Sequence, residues 1–385
     1  MKKRGCIVFA AIFVFGLFMF AAGELKAEGS GIEHRIHLSG LIEVGGVWQD
    51  INYYNTADEP DKEDESDLCL TTVELGVEAE VNEWVNVHAL FLYEDPTFGE
   101  ETHVEMEEAI LTIGNTEEFP VYVSAGKMFV PFGALLTHFP DDPLLHAPLT
   151  LLMGETLEKA LLVGVEYEGF SVSAYAFNGD MDETGEDNNV ETYGFDANFS
   201  FDDEAAFDLL VGASYISNIA DSDGLEEEAG RRETYTMGGM TIDGVAVDIE
   251  VEERFHEIKE YIEGFDAYLH VGYADFFIDA EYMTALDDFE PGELGVNKAQ
   301  PEVWNVEVGY NLDWGKNLEI VLKYSGSDDA ECLGYPEDRY GICFNQDIFE
   351  DVIVSLGYLR DDYEDAPRDV RDEKDLVFAQ IAIEF

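Results

Sequence analysis

Basic residues are scarce in this 385-residue chain: 20 Lys or Arg stand against 85 Asp or Glu, and the formal charge is −65. Phosphate recognition needs clustered cations, so this composition excludes nucleic acid as a partner. Such an excess of acids is typical of disordered tails. Here, however, 46% of the residues are hydrophobic and 13% are aromatic. The acids and the aromatic residues must therefore share the same ordered segments.

Long apolar runs and catalytic signatures are also missing. After residue 27, no run of about 18 apolar residues predicts a transmembrane helix. The chain has no Gly-x-Ser-x-Gly, no His-Glu-x-x-His and no phosphate-binding loop. His37, His88 and His270 face one side of predicted strands, where wall residues are commoner than ligands. We expect neither an enzyme nor a resident cofactor.

Residues 1–27 have the three parts of a secretory signal peptide. Residues 2–4 are basic, residues 6–22 are almost wholly apolar, and Ala27 is a small residue suited to cleavage. The alternative interpretation is an uncleaved membrane anchor. An exported chain without helical spans is either soluble or a β-barrel, and residues 28–385 are its mature domain.

The mature chain alternates between apolar and polar residues with a period of two. Val73, Leu75 and Val77 alternate with Glu74, Gly76 and Glu78, for example. This alternation predicts half-buried strands. Acids fill one face, which a packed soluble core would not tolerate, and aromatic residues stand at the ends of the other face, as in lipid-facing strands. The pattern favours an all-β, transmembrane antiparallel barrel over a β-sandwich.

The alternating segments number about sixteen, and the alternative counts are about fourteen or about eighteen strands. We predict strands at 33–49, 67–81, 84–94, 103–113, 119–128, 159–168, 170–178, 190–201, 205–217, 260–273, 275–286, 301–313, 316–327, 338–345, 349–361 and 374–385. Short turns alternate with long polar stretches such as 50–66 and 218–259. A barrel of this size leaves a water-filled lumen, and we expect no plug domain.

The connection 129–158 differs from the other loops because it is strongly apolar. Folding into the lumen would bury its apolar side against the wall and narrow the pore. The alternative is a loop packed over the rim or at a subunit interface. The polar residues that would reach the constriction are His138, Asp141, Asp142, His146 and Glu155.

Three segments near this loop resemble a known family. Residues 126–133 (GKMFVPFG), 148–156 (PLTLLMGET) and 174–180 (AYAFNGD) are similar in order and spacing to the LbtU-type siderophore porins. The resemblance implies a sixteen-stranded barrel without a plug that passes ferric siderophore without the energised receptor machinery. The terminal strand ending in Phe385 resembles the outer-membrane assembly signal more generally.

Placing the polar parity inward gives ten predicted pore-lining charges. They are Glu43, Glu74, Glu78, Asp196, Asp266, Asp279, Glu281, Glu307, Glu319 and Lys323. Carboxylate-lined pores favour cations, so we predict a cation preference that fades as salt rises. The alternative is that the acids only solvate the wall and leave selectivity weak.

Two further sites are suggested by spacing. Residues 180–191 place oxygen ligands in the order of a calcium loop, with Asp180, Asp182, Thr184, Asn188 and Glu191 as ligands, although the flanks are strands. Cys332 and Cys343 flank a loop in an oxidising compartment, which predicts a disulfide.

These observations predict a passive porin of the outer membrane, with lipid around it and small solutes, cations or a metal–siderophore complex inside it. By analogy with other porins, a homotrimer is expected. The alternative function is a structural or adhesive barrel whose acidic outer loops bind calcium.

Overall fold

The computed structural model describes residues 35–53, 62–94, 103–134, 147–184, 189–202, 207–242, 245–295, 297–363 and 371–385. Within these ranges, the side chains of residues 103, 231–254 and 331 are not described. The chain divides into two units, Met1–Ile36 and His37–Phe385, of which the second holds the sheet. The predicted signal peptide, residues 1–27, lies outside the described residues, and its cleavage stays a prediction.

In the described parts of the chain, strands account for almost all of the regular structure. In chain order they are β1 (Ile36–Tyr53), β2 (Lys62–Asn82), β3 (Val85–Glu94), β4 (His103–Asn115), β5 (Phe119–Phe129), β6 (Leu157–Tyr167), β7 (Phe170–Phe177), β8 (Asp182–Glu183), β9 (Thr192–Asp202), β10 (Phe207–Ile216), β11 (Arg231–Ile242), β12 (Val245–Phe255), β13 (Glu257–Ile258), β14 (Gly264–Tyr273), β15 (Phe276–Ala285), β16 (Glu302–Leu312), β17 (Leu318–Asp328), β18 (Asp338–Phe349), β19 (Val352–Asp362) and β20 (Arg371–Glu384). The helical pieces are Leu149–Gly154, Asp223–Glu226 and the 3-10 turns Ile219–Asp221 and Glu331–Leu333.

All strands except β8, β11, β12 and β13 form one closed barrel, in which each strand pairs with the next along the chain. The predicted sixteen-stranded antiparallel barrel is confirmed. Short connections such as 168–169 and 274–275 lie at one end of the barrel, which we name the turn end, and the long connections lie at the other, the loop end. The alternation of short and long connections is therefore as predicted.

The barrel closes through β1 and β20. The amide of Gly40 donates to the carbonyl of Phe385 at 2.8 Å, and the amide of Phe385 donates back at 3.0 Å. Gly40 is needed here because a Cβ at this position would lie 2.4 Å from the Phe385 ring. The terminal phenylalanine thus completes the sheet and leaves no open edge there.

The two faces of the strands differ as the alternation predicts. On β9, Thr192 and Asp196 are buried, whereas Tyr193 and Phe195 are exposed. Exposed aromatic residues mark both ends of the outer face. At the loop end, tyrosine hydroxyls donate to acids, in the pairs Tyr215–Glu263, Tyr282–Glu302, Tyr324–Asp338 and Tyr358–Asp375. An amphipathic ring with its polar tip towards water is what a membrane interface favours.

The long connections at the loop end are not plain loops. Residues 218–259, expected as a polar stretch, contain the antiparallel hairpin of β11 and β12. Val245, Val247 and Ile249 alternate with Ala246 and Asp248 there, so a period-two signal was present in part of it. In addition, β8 and β13 form a two-residue parallel pair.

Apolar residues of several connections pack together on the inner side of the loop end. Phe132, Leu149, Met153, Ile219 and Phe289 are at most 1% exposed and belong to one cluster. The burial of this much apolar surface, at roughly 25 cal/mol per Å², holds the connections in place. The apolar composition of residues 129–158 is thereby explained.

Candidate pore and constriction site

All ten predicted pore-lining residues lie on the inward parity of barrel strands. Six are buried, namely Glu43, Asp196, Asp266, Glu281, Glu307 and Lys323. The other four are intermediate or exposed, namely Glu74, Glu78, Asp279 and Glu319. Their placement on one face follows from the strand register, which pairs Asp279 with Glu307 and Glu307 with Lys323, for example. Their role towards a solute stays a prediction.

The connection between β5 and β6 reaches inward-facing residues several strands away. The Ala134 amide and the Thr150 hydroxyl both donate to the Glu281 carboxylate of β15, at 2.6 and 2.5 Å. The Gly133 amide donates to the Ser214 hydroxyl of β10 at 2.8 Å. Both described limbs of the connection therefore contact the inner wall, on strands that are not their neighbours in the barrel.

Acids are concentrated beneath these contacts. Asp266 is the register partner of Ser214 and is 0% exposed. Asp196, on β9, accepts from the Tyr268 hydroxyl at 2.8 Å and from the Asn198 amide at 2.7 Å. The wall under the connection therefore contains at least two buried carboxyl groups, those of Asp196 and Asp266.

The inward cations of β17 and β18 are ion-paired. Lys323 Nζ lies 3.1 Å from Glu307 Oε1, and both side chains are nearly buried. Arg339 makes two bonds to Asp361, at 2.7 and 3.0 Å, in the bidentate geometry that favours arginine. These positive charges are balanced by carboxylates within the wall.

A second group of acids lies between β10 and β11, outside the barrel strands. Burial raises the pKa of Asp221 to about 6, although hydrogen bonds from Thr192, Met181 and Asn218 act in the opposite direction. Burial also raises the pKa of Asp223 to about 6 and that of Glu226 to about 7. These groups hold protons more tightly than ordinary carboxyl groups, because the charged form is poorly solvated.

Of the five predicted constriction residues, Glu155 belongs to the described part of the chain. His138, Asp141, Asp142 and His146 lie outside the described residues. Glu155 follows the short helix Leu149–Gly154, and its carbonyl accepts from the Asp223 amide at 2.8 Å. Whether these residues line the narrowest point stays a prediction.

The calcium loop gains no support from the described residues. The Thr184 hydroxyl donates to the Ile258 carbonyl at 3.0 Å, and Asp182 belongs to the extended pair of β8 and β13. Asn188 lies outside the described residues, whereas Asp180 and Glu191 are exposed. Among the described residues, no group of three or more His, Cys, Asp or Glu is arranged to hold a metal ion.

The predicted disulfide was wrong, since the structure has no bond between Cys332 and Cys343. Cys332 lies in the 3-10 turn Glu331–Leu333 at the loop end, whereas Cys343 is the sixth residue of β18 and is buried in the wall. Strands advance about 3.3 Å per residue, so Cys343 is carried well beyond the roughly 7 Å that a disulfide tolerates between Cα atoms.

Several residues that shape the site carry no signal in the sequence. Thr150, Ser214 and Arg339 matter through partners that are distant along the chain. Their partners emerge only from the barrel register. Within the part of the chain that the structure describes, no helix has the length and apolar character to cross a membrane.

The chain is similar to curated proteins from two bacteria. Two curated relatives are UPF0422 proteins. The protein of Coxiella burnetii is 25% identical over 302 residues, which are 77% of this chain and 59% of the relative. The protein of Legionella pneumophila is 25% identical over 312 residues, which are 77% of this chain and 54% of the relative. The chain thus spans somewhat more than half the length of these relatives.

Among solved structures, the anion-selective porin from Comamonas acidovorans has a TM-score of 0.57 at 8% identity, covering 91% of this chain and 99% of that chain. This likeness shows the barrel fold alone. The narrower resemblance to LbtU-type siderophore porins stays a prediction. A family model described as phosphate-selective porin O and P matches residues 43–314. With that match over most of its barrel, the chain belongs to the phosphate-selective porin O and P family of outer-membrane channels.

Proposed function

We propose that this chain is a passive channel that prefers cations. The observation that supports the proposal is the charge of the inward face. Nine of the ten predicted pore-lining residues are carboxylates. The one ammonium, Lys323, lies 3.1 Å from the Glu307 carboxylate. Carboxylates that line a pore attract cations and repel anions.

The family description names phosphate, and the Comamonas acidovorans neighbour is named as anion-selective. The first phrase describes a whole family and the second a single neighbour, and neither states what this chain transports. A path for anions needs a row of cations that are not already neutralised. On β17 and β18 the inward-facing cations Lys323 and Arg339 each face a carboxylate. The balance of charge along the described wall therefore supports cation preference in this chain.

The solute proposed for specific uptake is a metal ion or a neutral or cationic metal–siderophore complex. An anionic ferric siderophore would be repelled by the wall that the inward acids form. Growth of a deletion strain on single ferric siderophores as iron source tests this step. Normal growth of that strain on every siderophore offered would contradict specific uptake and would indicate a general porin.

The channel itself is tested by conductance and reversal potential in a planar bilayer across a KCl gradient. A potential driven by K⁺ supports the proposal, and one driven by Cl⁻ would exclude it. A barrel that does not conduct would favour the structural or adhesive alternative.

We further propose a homotrimer, which the mass of the detergent-solubilised protein tests.

A further inference from the structure

Charges of one sign occupy the first five residues of the barrel strands, counted from the turn end. Across the sixteen described barrel strands, these stretches contain nine Asp or Glu and no Lys or Arg. Five of the nine acids are exposed, namely Glu78, Glu80, Glu166, Asp202 and Glu384. The other four are half-buried, namely Asp208, Asp279, Glu319 and Asp347. We name these nine acids the turn-end ring.

Every member of the turn-end ring has the inward parity of its strand. Asp202 shares the parity of the buried Asp196 on β9, and Glu384 shares that of the buried Phe378 on β20, for example. The nine acids come from β2, β6, β9, β10, β15, β17, β18 and β20, and the longest run of barrel strands without one is β3 to β5. The acids are therefore distributed around most of the barrel circumference. The basic residues within the same stretches are the histidines His37, His88 and His270.

The wall above the ring is different, because its acids are often buried and it carries cations. Glu281 and Glu307 are 5% and 3% exposed. Glu281 accepts from the connection between β5 and β6, and Glu307 faces Lys323 at 3.1 Å. Arg339 and Lys374 also have inward parity on the upper wall. Burial and mixed sign weaken the field of the upper wall, whereas all nine acids of the ring contact water.

A ring of like charges acts at the centre of a pore only when the lumen is not much wider than the screening length. Sixteen strands that lie about 4.8 Å apart and tilt by about 40° give a backbone radius of about 16 Å. Acidic side chains extend about 5 Å inward, so their carboxylates lie roughly 10 Å from the barrel axis. The screening length is about 10 Å in 0.1 M salt and about 3 Å in 1 M salt. The ring therefore acts on ions across the whole lumen in dilute salt, but not on the axis in 1 M salt.

We propose that the turn-end ring contains the residues that determine the charge selectivity of this channel. An ion that crosses the turn end passes within about one screening length of carboxylates on most sides. Potassium is enriched at this level and chloride is depleted, because the described strands place no lysine or arginine there. The inference rests on the proposed passive-channel function and deepens it by naming the residues that select.

Some ring members also have contacts within the wall, which decides the choice of variants. His270 lies 2.5 Å from both Asp208 and Asp279, and Glu319 accepts from the Asn345 amide at 2.9 Å. Substitution of these acids would change packing together with charge. The exposed members are better suited, because a glutamine in water replaces an exposed glutamate with little change in the fold.

The test is the K⁺ to Cl⁻ permeability ratio of the triple variant Glu78→Gln/Glu80→Gln/Glu166→Gln, measured from reversal potentials at a mean salt of 0.1 M and of 1 M. We expect the ratio to be about fourfold lower than in the wild-type protein in 0.1 M salt. In 1 M salt the two proteins should differ by no more than about 1.5-fold, since the charges are screened from the axis. Lysine at the same three positions should lower the ratio further.

The matched control is Asp64→Asn/Asp287→Asn/Asp329→Asn, which removes the same number of exposed acids at the loop end. It should keep the wild-type ratio to within about 1.5-fold in 0.1 M salt. Equal ratios in the ring variant and the control variant would overturn the inference. If the triple ring variant does not form a barrel, Glu80→Gln and Glu166→Gln replace it singly, and each should lower the ratio. An unchanged ratio in both single variants would overturn the inference equally.

Failure of the proposed function and failure of the ring are distinguishable. A wild-type channel that prefers anions contradicts the proposed function, and the ring is upheld in that case if its variant prefers anions still more strongly. A cation-preferring channel whose ratio is the same in wild-type and ring-variant protein contradicts only the role of the ring. A barrel that does not conduct overturns both.

Discussion

Glu281 and Thr150 are 131 residues apart in the chain, and the Thr150 hydroxyl donates to the Glu281 carboxylate at 2.5 Å. The same carboxylate accepts from the Ala134 amide at 2.6 Å. One inward-facing acid on β15 therefore fastens both described limbs of the connection between β5 and β6. We predict that this connection narrows the pore, and that the Glu281 carboxylate holds its two described limbs against the wall.

Glu281→Gln should loosen the connection, because glutamine retains one acceptor and replaces the other by a donor. The loss of a hydrogen bond to a charged acceptor costs about 1.5–3 kcal/mol. We expect chymotrypsin to cut between residues 130 and 156 roughly tenfold faster, with noisier single-channel currents. Glu319→Gln is the control, since Glu319 is also inward-facing but accepts from Asn345 on the neighbouring strand. Equal cleavage of the two variants would exclude the anchoring role.

The segment 217–229 should become less stable as pH rises. The pKa values of Asp221 and Asp223 are raised to about 6, and that of Glu226 to about 7, by burial. The folded segment therefore binds more protons than the unfolded one between about pH 4 and 7, and its free energy of unfolding falls over that window. Amide hydrogen exchange of this segment, corrected for intrinsic rates, should be faster at pH 8 than at pH 4.5.

Asp223→Asn should reduce this pH dependence, because it removes one titrating group and keeps an oxygen to accept from the Leu157 amide. Asp287→Asn, at an exposed position, is the control and should leave it unchanged. Exchange that slows with rising pH in the wild-type segment would contradict the predicted loss of stability.

Arg339→Ala should destabilise the barrel much more than Arg360→Ala. Arg339 and Asp361 are 11% and 2% exposed, so the substitution leaves a buried carboxylate without its cation. Breaking a buried pair costs about 3–5 kcal/mol, whereas an exposed pair contributes about 0–1 kcal/mol. Arg360 and Asp362 are 35% and 43% exposed. Thermal unfolding in detergent measures both, and similar losses would show that burial does not decide the cost.

Lys323→Gln should strengthen cation preference, because it removes the positive charge that faces Glu307 on the inner wall. The permeability ratio for K⁺ over Cl⁻ should rise by about twofold. Lys298→Gln is the control, as Lys298 pairs with Glu290 in the connection between β15 and β16, outside the strands. An unchanged ratio for Lys323→Gln would mean that the permeating ions do not sense this charge, and a fall would contradict the electrostatic argument.

The barrel was predictable because period-two alternation is a local property. Tyr193, Phe195 and Asp196 carry the signal for their own strand, and their exposure and burial follow it. The hairpin of β11 and β12 was missed because its segment contains many acids and sits where a long loop was expected. The high acid content favoured the prediction of a polar loop, whereas the alternation of Val245, Val247 and Ile249 indicated a strand.

The contacts of the site could not be predicted in the same way. The parity of Glu281 gave its inward direction, but its bonds to Ala134 and Thr150 depend on how a connection crosses several strands. The spacing of Cys332 and Cys343 suggested a bridge, yet the direction of β18 carries Cys343 away along the wall. The number of residues between two cysteines does not show how far apart they lie in space, because an extended strand separates residues by about 3.3 Å each.

The central claim is that the carboxylates of the inward face make this porin selective for cations. The most direct measurement is the zero-current potential of the purified wild-type channel in a neutral-lipid bilayer, across a tenfold KCl gradient at pH 7. The account predicts a potential of the sign set by K⁺, which shrinks as the mean salt concentration is raised. A potential of the sign set by Cl⁻, or a potential of the sign set by the anion when phosphate replaces Cl⁻, would contradict the account.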